Sequence, residues 1–202
     1  MTSFSAVEAN KWLIPIRKED SPHIRLITFH WVGGNGFAYR PWKKELLGNI
    51  EIYSMMLPGR LSRRKEEFVE TVDEVVSRLL LSMQALGLTG GKTGLDQPPT
   101  VFFGHSYGGI IAYELALQLQ QQDLLRVAHL VISSTNSPEV LTSRSCSTDD
   151  AFYKKLHLVN ICELTKHTHP TLNAMKLTLS PLSLCCCCCC ITSQHNTSHL
   201  AL

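Results

Sequence analysis

The sequence has little of what marks nucleic-acid-binding, membrane or secreted proteins. Its 202 residues carry a net charge of only +2, whereas a nucleic-acid-binding domain usually presents a strongly basic face. It contains no run of 18 uncharged apolar residues, so we expect no membrane span. Residues 1–20 hold no apolar stretch of signal-peptide length. These absences predict a cytoplasmic protein that binds no nucleic acid.

The C-terminal part of the chain lacks the residues that usually build folded domains. No glycine follows Gly109, no aromatic residue follows Tyr153, and few charged residues occur beyond residue 157. Six of the 8 cysteines form one tract, 185–190, and adjacent cysteines do not easily meet disulfide geometry with one another. We therefore expect residues 1–156 to belong to a folded domain and residues 157–202 to form an unstructured low-complexity tail.

What is present is an alternation of predicted strands and helices. The apolar fraction of 44% can fill a core and is too high for a disordered chain. Apolar, β-rich segments predict strands over 24–30, 50–56, 100–103 and 127–133. Apolar periodicity and helix boundary signals predict helices over 37–47, 68–86, 108–120 and 149–156. This alternation favours an α/β fold, a mostly parallel sheet with helices on both faces and a ligand site at the carboxyl ends of the strands.

One segment has the pattern of a catalytic serine motif. Gly104-His105-Ser106-Tyr107-Gly108 follows a predicted strand and precedes a predicted helix, which is the context that a nucleophile elbow requires. Ser106 would then be the nucleophile, and the N–H of Tyr107 at the helix start would donate to an oxyanion. His105 is expected to pack in the turn. The alternative interpretation is an ordinary turn that needs glycines for packing.

An oxyanion hole needs a second donor, from the loop after an earlier strand. The segment Trp31-Val32-Gly33-Gly34 follows the first predicted strand, so the backbone N–H of Val32, or alternatively that of Trp31, is the candidate. The other possibility is that these glycines serve only to make the turn.

These motifs resemble those of the type II thioesterases, in particular the animal medium-chain acyl-carrier-protein hydrolases. Residues 29–34 (FHWVGG), 57–60 (LPGR) and 104–108 (GHSYG) stand in that family's order and spacing, although His30 replaces the family's usual proline. The resemblance covers about residues 12–156. It implies an α/β-hydrolase fold in which Ser106 attacks an acyl thioester and water releases a fatty acid. It also implies an acyl carrier protein and fatty acid synthase as partners, and no cofactor or metal ion is expected.

The other two members of a serine triad are missing from this pattern. In this fold an acid and then a histidine follow the serine along the chain, and serine needs such a base. The acids available after Ser106 are Glu114, Asp123, Glu139, Asp149, Asp150 and Glu163. The histidines available after the motif are His129, His157, His167, His169, His195 and His199. None stands in the family's context, so we expect the fold to be incomplete at the C-terminus, with the last third of the family's domain missing.

Two other interpretations stay open. The chain would be a catalytically inactive, truncated fragment that at most binds acyl chains or a synthase, or another serine carboxylesterase of the same fold. A basic run formed by Arg60, Arg63, Arg64 and Lys65 fits either contact with an acidic carrier protein or a solvated face.

Overall fold

The computed structural model describes residues 4–90, 97–134 and 158–160. The elements follow one another as α1 Ala6–Trp12, β1 Leu13–Arg17, β2 Ile24–Phe29, a 3₁₀ helix Gly36–Tyr39, α2 Trp42–Glu45, β3 Ile50–Met55, a second 3₁₀ helix Leu61–Arg63, α3 Val72–Ala85, β4 Thr100–His105, α4 Tyr107–Gln121, β5 Val127–Ser133 and β6 Leu158–Asn160. Strands and helices thus alternate from β2 to β5.

The described strands form one six-stranded sheet in the order β1-β3-β2-β4-β5-β6. Strands β2 to β6 are parallel to their neighbours, and β1 pairs antiparallel with β3 at the edge. Parallel neighbours need long crossover connections, which the helices supply. The carboxyl ends of β2, β3, β4 and β5 therefore lie along the same edge of the sheet.

Both faces of the sheet are buried, because successive strand residues point to opposite sides. Ile27 and Phe102 belong to a core shared with α1, α3 and α4. Their neighbours Leu26 and Phe103 belong to a second core on the opposite face, which the first 3₁₀ helix and α2 cover. The sheet is thus the middle of three layers.

Two predicted helices differ from the observed ones, one because it is divided and the other because it starts later. The helix predicted over 37–47 is divided into a 3₁₀ helix and α2 at Pro41, which has no N–H to donate and so interrupts the helical bonding. The helix predicted over 68–86 begins only at Val72, since Thr71 caps it by accepting a hydrogen bond from the N–H of Glu74 at 3.2 Å.

The elements α1 and β1 were not predicted. Helix α1 has seven residues and buries only Ala9 and Trp12, too few to give a helical period. Strand β1 contains Pro15, which argues against a strand in sequence analysis. Pro15 is exposed on an edge strand, where a missing N–H is tolerated.

Strand β6 lies beyond residue 156 and pairs parallel with β5, with Leu158 opposite Leu130. The predicted helix over 149–156 and the cysteine tract lie outside the described residues, so the division at residue 156 stays a prediction. None of the helices in the described ranges is long and apolar enough to cross a membrane.

A buried ion pair joins β2 to β3 near the amino ends of the strands. Arg25 and Glu51 are register partners, their Nε and Oε2 atoms are 2.9 Å apart, and each side chain is 7% exposed. Arg25 also donates to Gln97 Oε1 at 3.0 Å, and Tyr53 donates to Glu51 Oε1 at 3.1 Å. Removing one partner of such a pair leaves the other charge buried and uncompensated.

We expect Glu51→Gln to lower the free energy of unfolding by about 3 kcal/mol, because the amide keeps the side-chain size but removes the charge that compensates Arg25. The control is Glu74→Gln, whose carboxylate lies 3.8 Å from Arg78 on the exposed side of α3 and should contribute less than about 0.5 kcal/mol. Urea unfolding followed by circular dichroism measures both. Equal losses in the two variants would contradict a special role for the buried pair.

Candidate active site

Ser106 occupies the turn between β4 and α4 in a backbone conformation that L-residues rarely adopt. Its φ is 53° and its ψ is −120°. Its N–H donates to Ser133 O at 2.7 Å, and its carbonyl accepts from the N–H of Gly109 at 2.8 Å. Strain of this kind costs on the order of 1–3 kcal/mol and is concentrated at functional sites. The sharp strand-to-helix turn is therefore present at the carboxyl end of β4.

The glycines on either side of Ser106 permit this close packing. A Cβ on Gly104 would lie 2.6 Å from the carbonyl carbon of Gly108, and a Cβ on Gly108 would lie 2.7 Å from His30 O. Real Cβ atoms essentially never approach other atoms within 3.0 Å, and the neighbours here are backbone atoms. A larger residue at either position would therefore push α4 away from the ends of β4 and β2.

The Ser106 hydroxyl is not used to cap α4. Ser5 and Thr71 precede α1 and α3 with extended backbones, and each hydroxyl accepts a backbone N–H at 3.2 Å. Ser106 stands at the same position before α4 but makes no capping bond with its side chain. The N–H of Tyr107, in the first turn of α4, has no acceptor within the helix. Within the described part of the chain, Ser106 Oγ and this N–H are thus both left unused by the helix.

The segment after β2 forms a tight turn from Trp31 to Gly34. The N–H of Gly34 donates to Trp31 O at 3.0 Å, and Gly33, the third residue of the turn, has a φ of +80°. These features are those of a type II β-turn, which favours glycine at this position. The Val32 side chain at the turn's second position is 71% exposed, so this part of the turn faces solvent.

The turn after β2 and the turn at Ser106 are neighbours. The ring of Trp31 meets the ring of His105 edge-on, with centroids 5.7 Å apart. On the other side of Ser106, Gly108 packs directly against the carbonyls of Phe29 and His30. The structure therefore brings Ser106, Tyr107, Trp31 and Val32 to one edge of the sheet.

Two histidines lie at this edge, and burial lowers the pKa of both below the ordinary value of 6.5. His30 is fully buried. Its Nδ1 is 2.8 Å from Trp31 O and must donate there, while Nε2 has no hydrogen-bond partner within the described part of the chain. His105 Nδ1 bonds Ser133 Oγ at 3.1 Å. Both rings therefore hold parts of the site in place as neutral groups.

The triad candidates that fall in the described ranges lie away from Ser106. Asp123 follows the far end of α4, and fifteen helical residues span about 22 Å. Glu114 lies in the middle of α4, where burial raises its pKa. His129 lies four residues before Ser133 in β5, about 13 Å along a strand. The other candidate acids and histidines lie outside the described residues.

Two of the four residues in the basic run after β3 are bonded within the protein. Arg63 is 5% exposed, donates to Met56 O at 2.6 Å and pairs with Glu66 at 2.7 Å. Arg60 donates to Gly34 O at 3.1 Å. Sequence analysis identified the motif that contains Arg60 but not this contact, because a hydrogen bond to a distant carbonyl leaves no periodic signal.

In the described part, no three His, Cys, Asp or Glu side chains are grouped to hold a metal ion.

Comparison with known proteins identifies the family. The model of the family described as "Thioesterase domain" matches residues 24–179. The chain belongs to the thioesterase family. This thioesterase is 30% identical over 117 residues to the medium-chain S-acyl fatty acid synthase thioesterase of Homo sapiens. That match covers 58% of this chain and 41% of the human protein. It is 27% identical over 163 residues to the gramicidin S biosynthesis protein GrsT of Aneurinibacillus migulanus, which covers 79% of this chain and 59% of that protein.

A solved structure supports the fold of this thioesterase. The type II thioesterase BorB from the borrelidin biosynthetic cluster matches with a TM-score of 0.55 at 22% identity, covering 83% of this chain and 65% of BorB. The predicted resemblance to type II thioesterases and the predicted α/β-hydrolase fold are confirmed. The chain spans about half the length of the curated relatives it matches.

We expect His30 to make the thioesterase less stable as the pH falls. A neutral buried histidine favours folding above pH 6.5, where the unfolded chain is also unprotonated, and this contribution is lost as the pH falls toward the lowered pKa of the folded state. The free energy of unfolding of the wild type should therefore decrease as the pH is lowered from about 7.5 to 5.5. In His30→Gln this decrease should be smaller, by up to about 1.4 kcal/mol for each pH unit.

Urea unfolding at several pH values measures this slope. His23→Gln is the matched control, since His23 is exposed, and it should keep the wild-type slope. The explanation is wrong if His30→Gln and the wild type lose stability in parallel.

Proposed function

We propose that this chain is a serine-dependent acyl-thioester hydrolase that releases fatty acids from the acyl carrier protein of a fatty acid synthase. One observation carries the proposal. Ser106 is held with φ 53° at the start of α4 and leaves its hydroxyl out of helix capping. Membership of the thioesterase family gives that hydroxyl its reaction.

In the proposed mechanism, Ser106 Oγ attacks the thioester carbonyl carbon and its proton passes to a base. The developing oxyanion accepts from the N–H of Tyr107 and from a backbone N–H of the turn after β2, that of Val32 or, alternatively, Trp31. The C–S bond then breaks, the thiol leaves with a proton, and water hydrolyses the serine ester to the free fatty acid. The positive end of the α4 dipole favours the oxyanion.

Exposed apolar side chains support an acyl substrate. Several lie in the segments that leave the carboxyl ends of β2 and β3, namely Trp31, Val32, Phe37, Leu61 and Phe68. Apolar surface of this kind suits an acyl chain more than a polar one. The name of the human relative, an S-acyl fatty acid synthase thioesterase, favours a thioester over the oxygen ester that a carboxylesterase would cleave.

The partner we propose is an acidic carrier protein. Of the basic run, Arg64 and Lys65 remain exposed beside the second 3₁₀ helix, whereas Arg60 and Arg63 bond to backbone carbonyls. Surface cations of this kind steer an acidic partner, and their effect weakens as the salt concentration rises.

Ser106→Ala should reduce hydrolysis of a medium-chain acyl thioester at least about a thousandfold, because the substitution removes the attacking group. Release of free thiol measures the rate, and a fluorophosphonate probe should label the wild type but not Ser106→Ala. Ser62→Ala, at an exposed serine, is the control and should keep both properties.

The assay also separates the rival interpretations. Faster cleavage of the matching oxygen ester would favour a carboxylesterase. Folded wild-type protein that neither hydrolyses the thioester nor reacts with the probe would contradict the proposal and favour a fragment that binds acyl chains without turnover.

A further inference from the structure

Arg60 connects the segment after β3 to the turn after β2. Its Nε donates to the carbonyl oxygen of Gly34 at 3.1 Å. Gly34 is the last residue of the turn, and its own N–H closes the turn by donating to Trp31 O at 3.0 Å. Because both polar groups of Gly34 are bonded, the hydrogen bond from Arg60 helps to fix the orientation of the whole turn.

The backbone around Arg60 is built to present its guanidinium. Gly59 has a φ of +72°, and a Cβ there would lie 2.7 Å from Cδ1 of Phe68. The Phe68 ring therefore packs against the Gly59 backbone, and the Arg60 guanidinium lies 5.8 Å from the ring's centroid. A planar guanidinium can lie against a ring while it donates through Nε in a fixed direction, whereas a lysine ammonium is a compact charge on a flexible stem.

The turn is held on its other side by His30. The Nδ1 of this buried histidine is 2.8 Å from Trp31 O, the carbonyl that also closes the turn. The first residue of the turn is thus bonded to the buried residue just before it, and the last residue is bonded to the segment after β3. The N–H of Val32, which the mechanism aims at the oxyanion, lies between these two bonded carbonyls, and the alternative donor, the N–H of Trp31, directly precedes them.

We propose that Arg60 is a positioning residue, whose hydrogen bond to Gly34 O holds the turn 31–34 in the orientation in which its N–H groups meet the oxyanion. The proposal rests on the proposed function for its catalytic meaning. Arg60 contacts no reacting atom and acts through the turn. A displacement of about 1 Å in such a group can reduce a rate up to a hundredfold.

The kinetic test compares Arg60→Ala and Arg60→Lys with Arg126→Ala, which removes an exposed arginine just before the amino end of β5. In Arg60→Ala, kcat for a medium-chain acyl thioester should fall about tenfold or more while KM changes less than about twofold, because transition-state stabilisation is lost and substrate binding is kept. Arg60→Lys should recover only part of kcat, and millimolar methylguanidinium should raise kcat in Arg60→Ala. Arg126→Ala should keep the wild-type kcat and gain nothing from methylguanidinium.

Hydrogen exchange tests the positioning independently of activity. The amide of Gly34, whose hydrogen bond closes the turn, should exchange at least about tenfold faster in Arg60→Ala than in the wild type, and those of α3 should be unchanged, which shows that the fold is intact. Arg126→Ala should match the wild type in both the turn and α3. The assignment would be overturned if exchange in the turn is unchanged, or if KM rises while kcat stays at the wild-type value. A wild type that fails to hydrolyse thioesters would refute the proposed function, and the exchange rates would still decide whether Arg60 positions the turn.

Discussion

The close approach of α4 to the ends of β4 and β2 is the constraint on which the candidate site depends. It exists only because residues 104 and 108 have no side chain, so that backbone packs on backbone with no room for a Cβ. The same approach forces Ser106 into a strained conformation and turns its hydroxyl away from capping. Packing, strain and an available hydroxyl are therefore consequences of a single contact between a helix and two strands.

Two sets of hydrogen bonds stabilise this arrangement. Ser106 N–H is bonded to the end of β5, and the ring of His105 bonds the side chain of the same residue, Ser133. The turn after β2 is tied through His30 and Arg60. The site is thus assembled from four segments, each of which leaves the carboxyl end of a parallel strand, and the rigidity of the sheet is transmitted directly to the candidate reactive groups.

The central strands could be predicted from sequence because burial on both faces gives short segments rich in apolar and β-branched residues, such as 24–29 and 127–133. The serine turn could be predicted because its glycines are sterically required. Pro15 hid an edge strand, and Pro41 divided a helix that apolar spacing alone would continue. The bond from Arg60 to Gly34 joins residues 26 positions apart, and only the folded topology brings them together. Among the described residues the triad acid and base have no assigned position, since most of their candidates lie outside those ranges.

The buried pair of Arg25 and Glu51 has a further consequence, for strand alignment. Parallel strands have no hairpin turn to set their register, and a slip by one residue exchanges the two faces of a strand. Only the observed alignment places this arginine opposite this glutamate, and a slip would leave the buried arginine without its carboxylate. Strand β2 carries the arginine near its start and the Phe29 carbonyl that abuts α4 at its end. The ion pair therefore fixes the register of β2 against β3. Through that register it also fixes where the other end of β2 meets α4 at the serine turn.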